Sequence, residues 1–285
     1  MAGSGLIGIK RRIKSVTNTK KITKAMGLVA TAKLRKSREK LDINNNYYDS
    51  FEGIIKDLVD SHEGYNIYKS GNESSKKLYI VITSDSGLCG GFNGNIVNRT
   101  IDQLKVQNGN YLLNVAGEKG IAYFERFKFN INKKYVDISD LPTLKEARDI
   151  SNDALGLYEN GEVGEVILVY TRFISPVKQE VVFEKLLPLG TKSEDEYNYE
   201  KYIKFEPDID SILNNAAPIY IKEKILNLMI HSKSSEQSTR MSAMDGATKN
   251  ANDLLDKYKL QYNRMRQGAI TQEISEIVGG AEAQK

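Results

Sequence analysis

Asp85 and Cys89 fall within the run Thr83-Ser84-Asp85-Ser86-Gly87-Leu88-Cys89-Gly90-Gly91-Phe92-Asn93-Gly94, between a strand-like apolar stretch and a helical one. Main-chain amides at such a turn can hold a phosphate, and Asp85 or Cys89 has the chemistry of an acid or a nucleophile. The spacing is neither G-x-G-x-x-G nor G-x-x-x-x-G-K-[ST], and no lysine stands where a phosphate loop needs one. Cys89 has no paired base in the sequence, so a small core residue on a structural turn competes with the catalytic reading. A second group is cationic: the first 41 residues hold twelve Lys and Arg against one acid, Glu39, although the whole chain is only +4. Nucleic-acid phosphate, solvent and an acidic protein partner all remain open as what that face meets. Aromatic residues do not interleave the basic ones before Tyr47, and no recognised nucleic-acid motif is present. A third group is the carboxylate pair Glu273 and Glu276, set in an apolar stripe of Ile270, Ile274, Ile277 and Val278. Such pairs commonly decorate helix surfaces, and no second constellation faces this one. The apolar stripe itself points to insertion into a partner.

The elements that carry these residues differ along the chain. All five prolines lie between Pro142 and Pro218, so long helices are permitted at both ends. Apolar or small residues at Ile9, Ile13, Val16, Thr23, Met26, Ala30 and Leu34 keep helical spacing, with Lys20 at the one polar turn. Met241, Met244, Thr248, Ala251, Leu255, Tyr258, Tyr262, Met265, Ala269 and Gln272 alternate steps of 3 and 4, the signature of a coiled-coil seam. The roughly 60 residues from Ile219 to Val278 make a helix on the order of 90 Å long. Strands are expected at Leu78–Thr83, Tyr111–Ala116, Val166–Tyr170 and Val181–Leu187. Helices near Ile96–Val106, Lys119–Phe127 and Leu144–Tyr158 separate them. That alternation builds a largely parallel sheet. Polar stretches at Ser61–Lys77 and Gly190–Glu200 read as linkers. The expected fold is an inserted, Rossmann-like α/β domain (61–207) between an N-terminal helix (1–60) and a C-terminal helix (208–285) that pair as a long antiparallel coiled coil.

With 285 residues, 40% hydrophobic and 27% charged, the chain can bury a core, and whole-chain disorder is excluded. No apolar run reaches the roughly 18 residues needed to span a bilayer, and the N-terminus lacks the apolar core of a secretory signal. One cysteine cannot form an internal disulfide, and His62 and His231 lie too far apart for a Cys/His zinc site, so a reducing compartment and no metal are expected.

Three blocks together resemble the gamma subunit of F-type ATP synthases. These are Ile9 to Met26, Thr83 to Asn93, and the C-terminal pair Ser235 to Met244 and Arg266 to Ala281. They span nearly the whole chain in the family's order. The resemblance implies a non-catalytic central-stalk rotor without cofactors. Its helices would turn inside a ring of alpha and beta subunits, and its α/β domain would form a foot near the epsilon subunit and the membrane c-ring. It implies a peripheral protein on the cytoplasmic face of a bacterial membrane, with neither nucleic acid nor direct membrane insertion. Carried over by residue, Arg266 and Gln267 would touch a loop of beta, and Lys20, Lys21, Lys24 and Met26 would lie near the ring's acidic lever. Ile274, Ile277 and Val278 would sit in the apolar bearing. Thr271, Glu273 and Glu276 would pack or hydrogen-bond nearby, while Ser84, Asp85, Gly87, Gly90 and Asn93 would shape the foot. Two positions depart from the family: Ser86, where Arg or Lys is usual, and Gly246, where alanine is usual. The cysteine pair of the plastid branch is absent, so no thiol switch is expected.

Overall fold

The computed structural model describes residues 2–190 and 205–282; beyond Gly190 the second expected linker lies outside the described residues. In order come α1 (Ala2–Ser61), α2 (Ile67–Ser70), β1 (Lys77–Ile82), α3 (Phe92–Val106), β2 (Tyr111–Ala116) and α4 (Glu118–Arg126). Then follow β3 (Lys133–Tyr135), α5 (Leu144–Glu159), β4 (Glu165–Ser175), β5 (Lys178–Leu187) and α6 (Ile209–Glu282). Residue contacts divide the chain into two compact units, Met1–Ala30 with Arg240–Lys285, and Thr31–Thr239. The expected division at 60 and 208 follows element ends. Contacts divide instead inside both long helices, because residues 31–61 and 209–239 bury themselves against the sheet.

In the larger unit the sheet order is β3-β2-β1-β4-β5, parallel except for the last pair. β1 is central and buried from Leu78 to Ile82, as a strand covered on both faces must be. Side chains alternate between faces. Tyr79 and Val81 meet α3 and α4 through Ile96, Val97, Leu104 and Phe124. Leu78, Ile80 and Ile82 meet α5 and the lower halves of α1 and α6 through Ala154, Tyr158, Leu58, Ile221 and Ile225. The result is three layers, with the sheet in the middle.

The four expected strands and three intervening helices are present. β3 has no apolar signal because its three residues, Lys133-Lys134-Tyr135, form an exposed to half-buried edge. The stretch Ser61–Lys77 is not a loose linker. It contains α2, where the Asn66 side chain accepts from the Tyr68 N–H, and it anchors the buried Tyr68, whose hydroxyl donates to Glu159 at 2.5 Å. α6 begins before Pro218 and continues through it. Burial of Leu213, Ala217, Tyr220 and Ile221 around the proline outweighs the ~3 kcal/mol that an interior proline costs a helix.

In the smaller unit, α1 and α6 pair antiparallel. Thr23 and Thr248 share a 2.8 Å hydroxyl hydrogen bond, and Gly27 faces the Met244 Cβ. Every expected seam residue from Met241 to Ala269 is buried or half-buried; Gln272 is exposed. Gly5 lies against Met265. In that register the described part of α1 reaches opposite about residue 268 of α6.

Candidate functional site

Among the described residues no catalytic constellation forms around Asp85 or Cys89. Asp85 Oδ1 accepts from the Glu118 N–H and its Oδ2 from the Ile138 N–H, both at 3.0 Å, so the carboxylate ties the start of α4 and the loop after β3 to the end of β1. Cys89 is 3% exposed; its Sγ accepts from Asn93 Nδ2 at 3.3 Å and lies 3.7 Å from the Ser84 hydroxyl. Asn93 also accepts from the Ser84 N–H and donates to the Ser84 Oγ at 2.7 Å, locking the turn into the first turn of α3. A thiol held this way, with no base beside it, packs rather than attacks. Thr83 completes the joint: its hydroxyl donates to the Ala116 carbonyl at 2.6 Å and accepts from the Gly120 N–H. Gly117 has φ +101°, and a Cβ there would stand 2.6 Å from the Thr83 main chain, so only glycine fits. No local pattern signals the contact of Thr83 with Gly117 and Gly120, because strand pairing alone brings residues more than thirty positions apart together.

Within the smaller unit, Lys20 and Met26 are half-buried beside the seam, whereas Lys21 and Lys24 are exposed. Lys10, Arg11, Arg12, Lys14, Lys21 and Lys24 make no ion pair among the described residues. In the larger unit three cations of α1 are engaged with the sheet domain: Lys33 meets Asp140 at 2.7 Å, Lys40 donates to the Pro142 carbonyl, and the Arg38 guanidinium lies 5.8 Å from the Phe173 ring centroid. The basic run is thus two surfaces, one anchoring the sheet domain and one uncompensated.

At the far end of α6, residues 270–281 are all exposed, including Ile274, Ile277 and Val278, as are Arg266, Gln267, Thr271, Glu273 and Glu276. Thr271 donates to the Gln267 carbonyl at 3.0 Å, and Gln272 to Glu276 at 2.9 Å. These bonds lie along one helix and face no second group, so they position nothing for chemistry. Ile270, Ile274, Ile277 and Val278 form an exposed apolar stripe that meets no other segment among the described residues. No helix among the described residues is long and apolar enough to cross a membrane, and no cluster of His, Cys, Asp and Glu among them has metal-ligating geometry.

The family model described as ATP synthase matches residues 5–284. The chain is 55% identical over 285 residues, all of both chains, to the ATP synthase gamma chain of Clostridium kluyveri, and 54% identical over 286 residues to that of Clostridium novyi, again covering both chains completely. It resembles a chain of the Euglena gracilis mitochondrial ATP synthase in the OSCP/F1/c-ring structure, with TM-score 0.73 at 16% identity, covering 99% of this chain and 95% of that one. A chain of the Tetrahymena thermophila mitochondrial ATP synthase central stalk/c-ring structure matches with TM-score 0.63 at 26% identity, over 79% of this chain and 99% of that one. An antiparallel seam, an unpaired apolar helix end and full-length identity above one half together lead to one conclusion: the chain belongs to the ATP synthase gamma-chain family.

Proposed function

We propose that the chain is the central-stalk rotor of an F-type ATP synthase. It turns inside a ring of alpha and beta subunits and couples transmembrane ion flow to ATP synthesis or hydrolysis on beta. The observation that carries this reading is the α1–α6 seam, cationic and uncompensated on one side and ending in an apolar, unpartnered helix tip. A rod asymmetric in charge and apolarity presents a different face to each member of a surrounding ring as it turns. It thereby biases otherwise equal sites through differential binding of their conformations. The chain contributes no reacting group to this scheme.

In this reading Lys20, Lys21, Lys24 and Met26 meet the acidic lever of the ring, and Arg266 and Gln267 meet a loop of beta. Thr271, Glu273, Ile274, Glu276, Ile277 and Val278 form the part of the shaft held in the bearing. The turn around Ser84, Asp85, Gly87, Gly90 and Asn93 holds the foot in shape near epsilon and the membrane c-ring, which makes the chain a peripheral subunit on the cytoplasmic face of the cell membrane.

The purified chain is expected to hydrolyse no ATP, and to restore ATP-driven ion pumping when reconstituted with the remaining subunits; robust hydrolysis by the isolated chain would overturn the proposal. Reversing Lys20, Lys21 and Lys24 together to Glu is expected to lower pumping severalfold with the thermal midpoint of the chain unchanged. Equal losses of pumping and stability would assign these lysines to the fold instead.

A further inference from the structure

A cavity of about 490 Å³ opens in the larger unit between the N-terminal half of α3 and the β4–β5 hairpin. Its place in the topology is informative. β1 leads through α3 to β2 on one side, whereas β4 joins β1 on the other, so the chain's direction of travel across the sheet reverses between β1 and β4. In open α/β sheets, the crevice beyond the carboxyl ends of strands at such a reversal is where ligands bind. The volume falls within the ~300–1,000 Å³ of small-molecule sites.

Three features give the crevice a chemical sign. The N-terminus of the 15-residue α3 opens on it at Gly91 and Phe92, with no side chain capping the helix and no acid in its first turn. Among the described residues no side chain neutralises the positive end of the helix dipole. Ile167 and Val169 of β4 pack on the α3 side of the sheet, and period-two alternation puts Thr171 on that same face. Thr171 lines the cavity and is 6% exposed, yet its hydroxyl has no hydrogen-bond partner among the described residues. A buried hydroxyl without a partner is costly unless something else supplies one. Asn95 and Arg99 continue along the same stripe of α3, and Arg99 reaches across to the Val181 carbonyl of β5 at 3.2 Å. The one lining acid, Glu180, has its charge partly balanced by Arg172 at 3.7 Å.

We propose that this crevice binds a small phosphate-bearing anion, with the phosphate at the start of α3, hydrogen-bonded by Thr171 and balanced by Arg99. The site is distinct from the Asp85–Cys89 turn, whose polar groups are bonded to one another and to the main chain.

Isothermal titration of the full-length chain with inorganic phosphate, pyrophosphate and ADP in ~0.1 M salt tests it. Saturable binding is expected at dissociation constants from micromolar to millimolar. Thr171→Val and Arg99→Gln are each expected to weaken binding at least tenfold. Pyrophosphate and ADP binding alike would support recognition of the phosphates alone, while tighter ADP binding would support a nucleotide ligand. Thr171→Val removes a buried hydroxyl at nearly constant shape, so its thermal midpoint should hold or rise. Should that variant not fold, Arg99→Gln, on an exposed side chain, decides the matter. No binding by any of the three anions, or affinities within twofold of the parent in both variants, would overturn the proposal.

Discussion

At the turn after β1, chemically versatile side chains are engaged in holding three elements together. Both oxygens of Asp85 accept main-chain N–H groups, so Asp85→Asn puts an amide NH₂ against one of those donors. At a site half open to solvent, losing one such bond costs about its net worth of 0.5–1.5 kcal/mol. The unfolding free energy of the variant in urea is expected to fall by that amount, and a value equal to the parent's would show that the two bonds are dispensable. The presence of an acid and a thiol near a helix start was legible in the sequence; their disposition was not. Whether Asp85 faces solvent or two amides depends on where Glu118 and Ile138 are brought, and this is set by the pairing of β1 with β2 and of β2 with β3.

At the scale of the element, α6 carries Gly246 at an exposed position where a Cβ would meet nothing within 4 Å. No close approach uses the missing side chain, so the glycine is a plain cost in backbone entropy. Gly246→Ala is expected to stabilise the chain by about 0.5–1 kcal/mol, read as a raised thermal midpoint. A lowered midpoint would show a contact made only in some other state of the helix. Both seams were legible because steps of 3 and 4 have one geometric meaning on a helix. The start of α6 at Ile209 falls within one residue of the expected 208, although Pro218 inside it reads locally as a stop. Burial of its neighbours overrides the local preference, as tertiary packing routinely does. The uniformly polar run Ser232-Lys233-Ser234-Ser235-Glu236-Gln237-Ser238 also reads as surface, yet every member is buried. Main-chain acceptors on the β4–β5 hairpin receive part of it: Ser235 donates to the Thr171 carbonyl and Ser238 to that of Pro176, each at 2.9 Å. Lys233 and Glu236, 4% and 3% exposed, pair with each other at 3.1 Å.

For the molecule as a whole, stability should depend on pH through His231. Burial, reinforced by the nearby Arg172 charge, lowers its pKa from the ordinary 6.5 to about 4. The unfolded chain therefore binds a proton between those values that the folded chain does not. Stability is fully present above pH 6.5 and is lost as pH falls through 4, by about 3 kcal/mol at about 1.4 kcal/mol per unit. His231→Gln should flatten the unfolding free energy across that window. A slope unchanged in the variant would move the effect to other groups.

The residue sequence by itself determined the two long helices, their seams, the alternation of strands and helices between them, and the concentration of positive charge near the N-terminus. Each of these is a local pattern whose period or composition has a single physical meaning. Tertiary structure decided what no local pattern encodes. It split the basic run into an anchored half and an uncompensated half, and turned an apparent linker into a packed segment. It left the end of α6 exposed among the described residues, and opened a crevice where the sheet's winding reverses. All four depend on which distant segment lies opposite, and that is fixed by strand pairing and helix register.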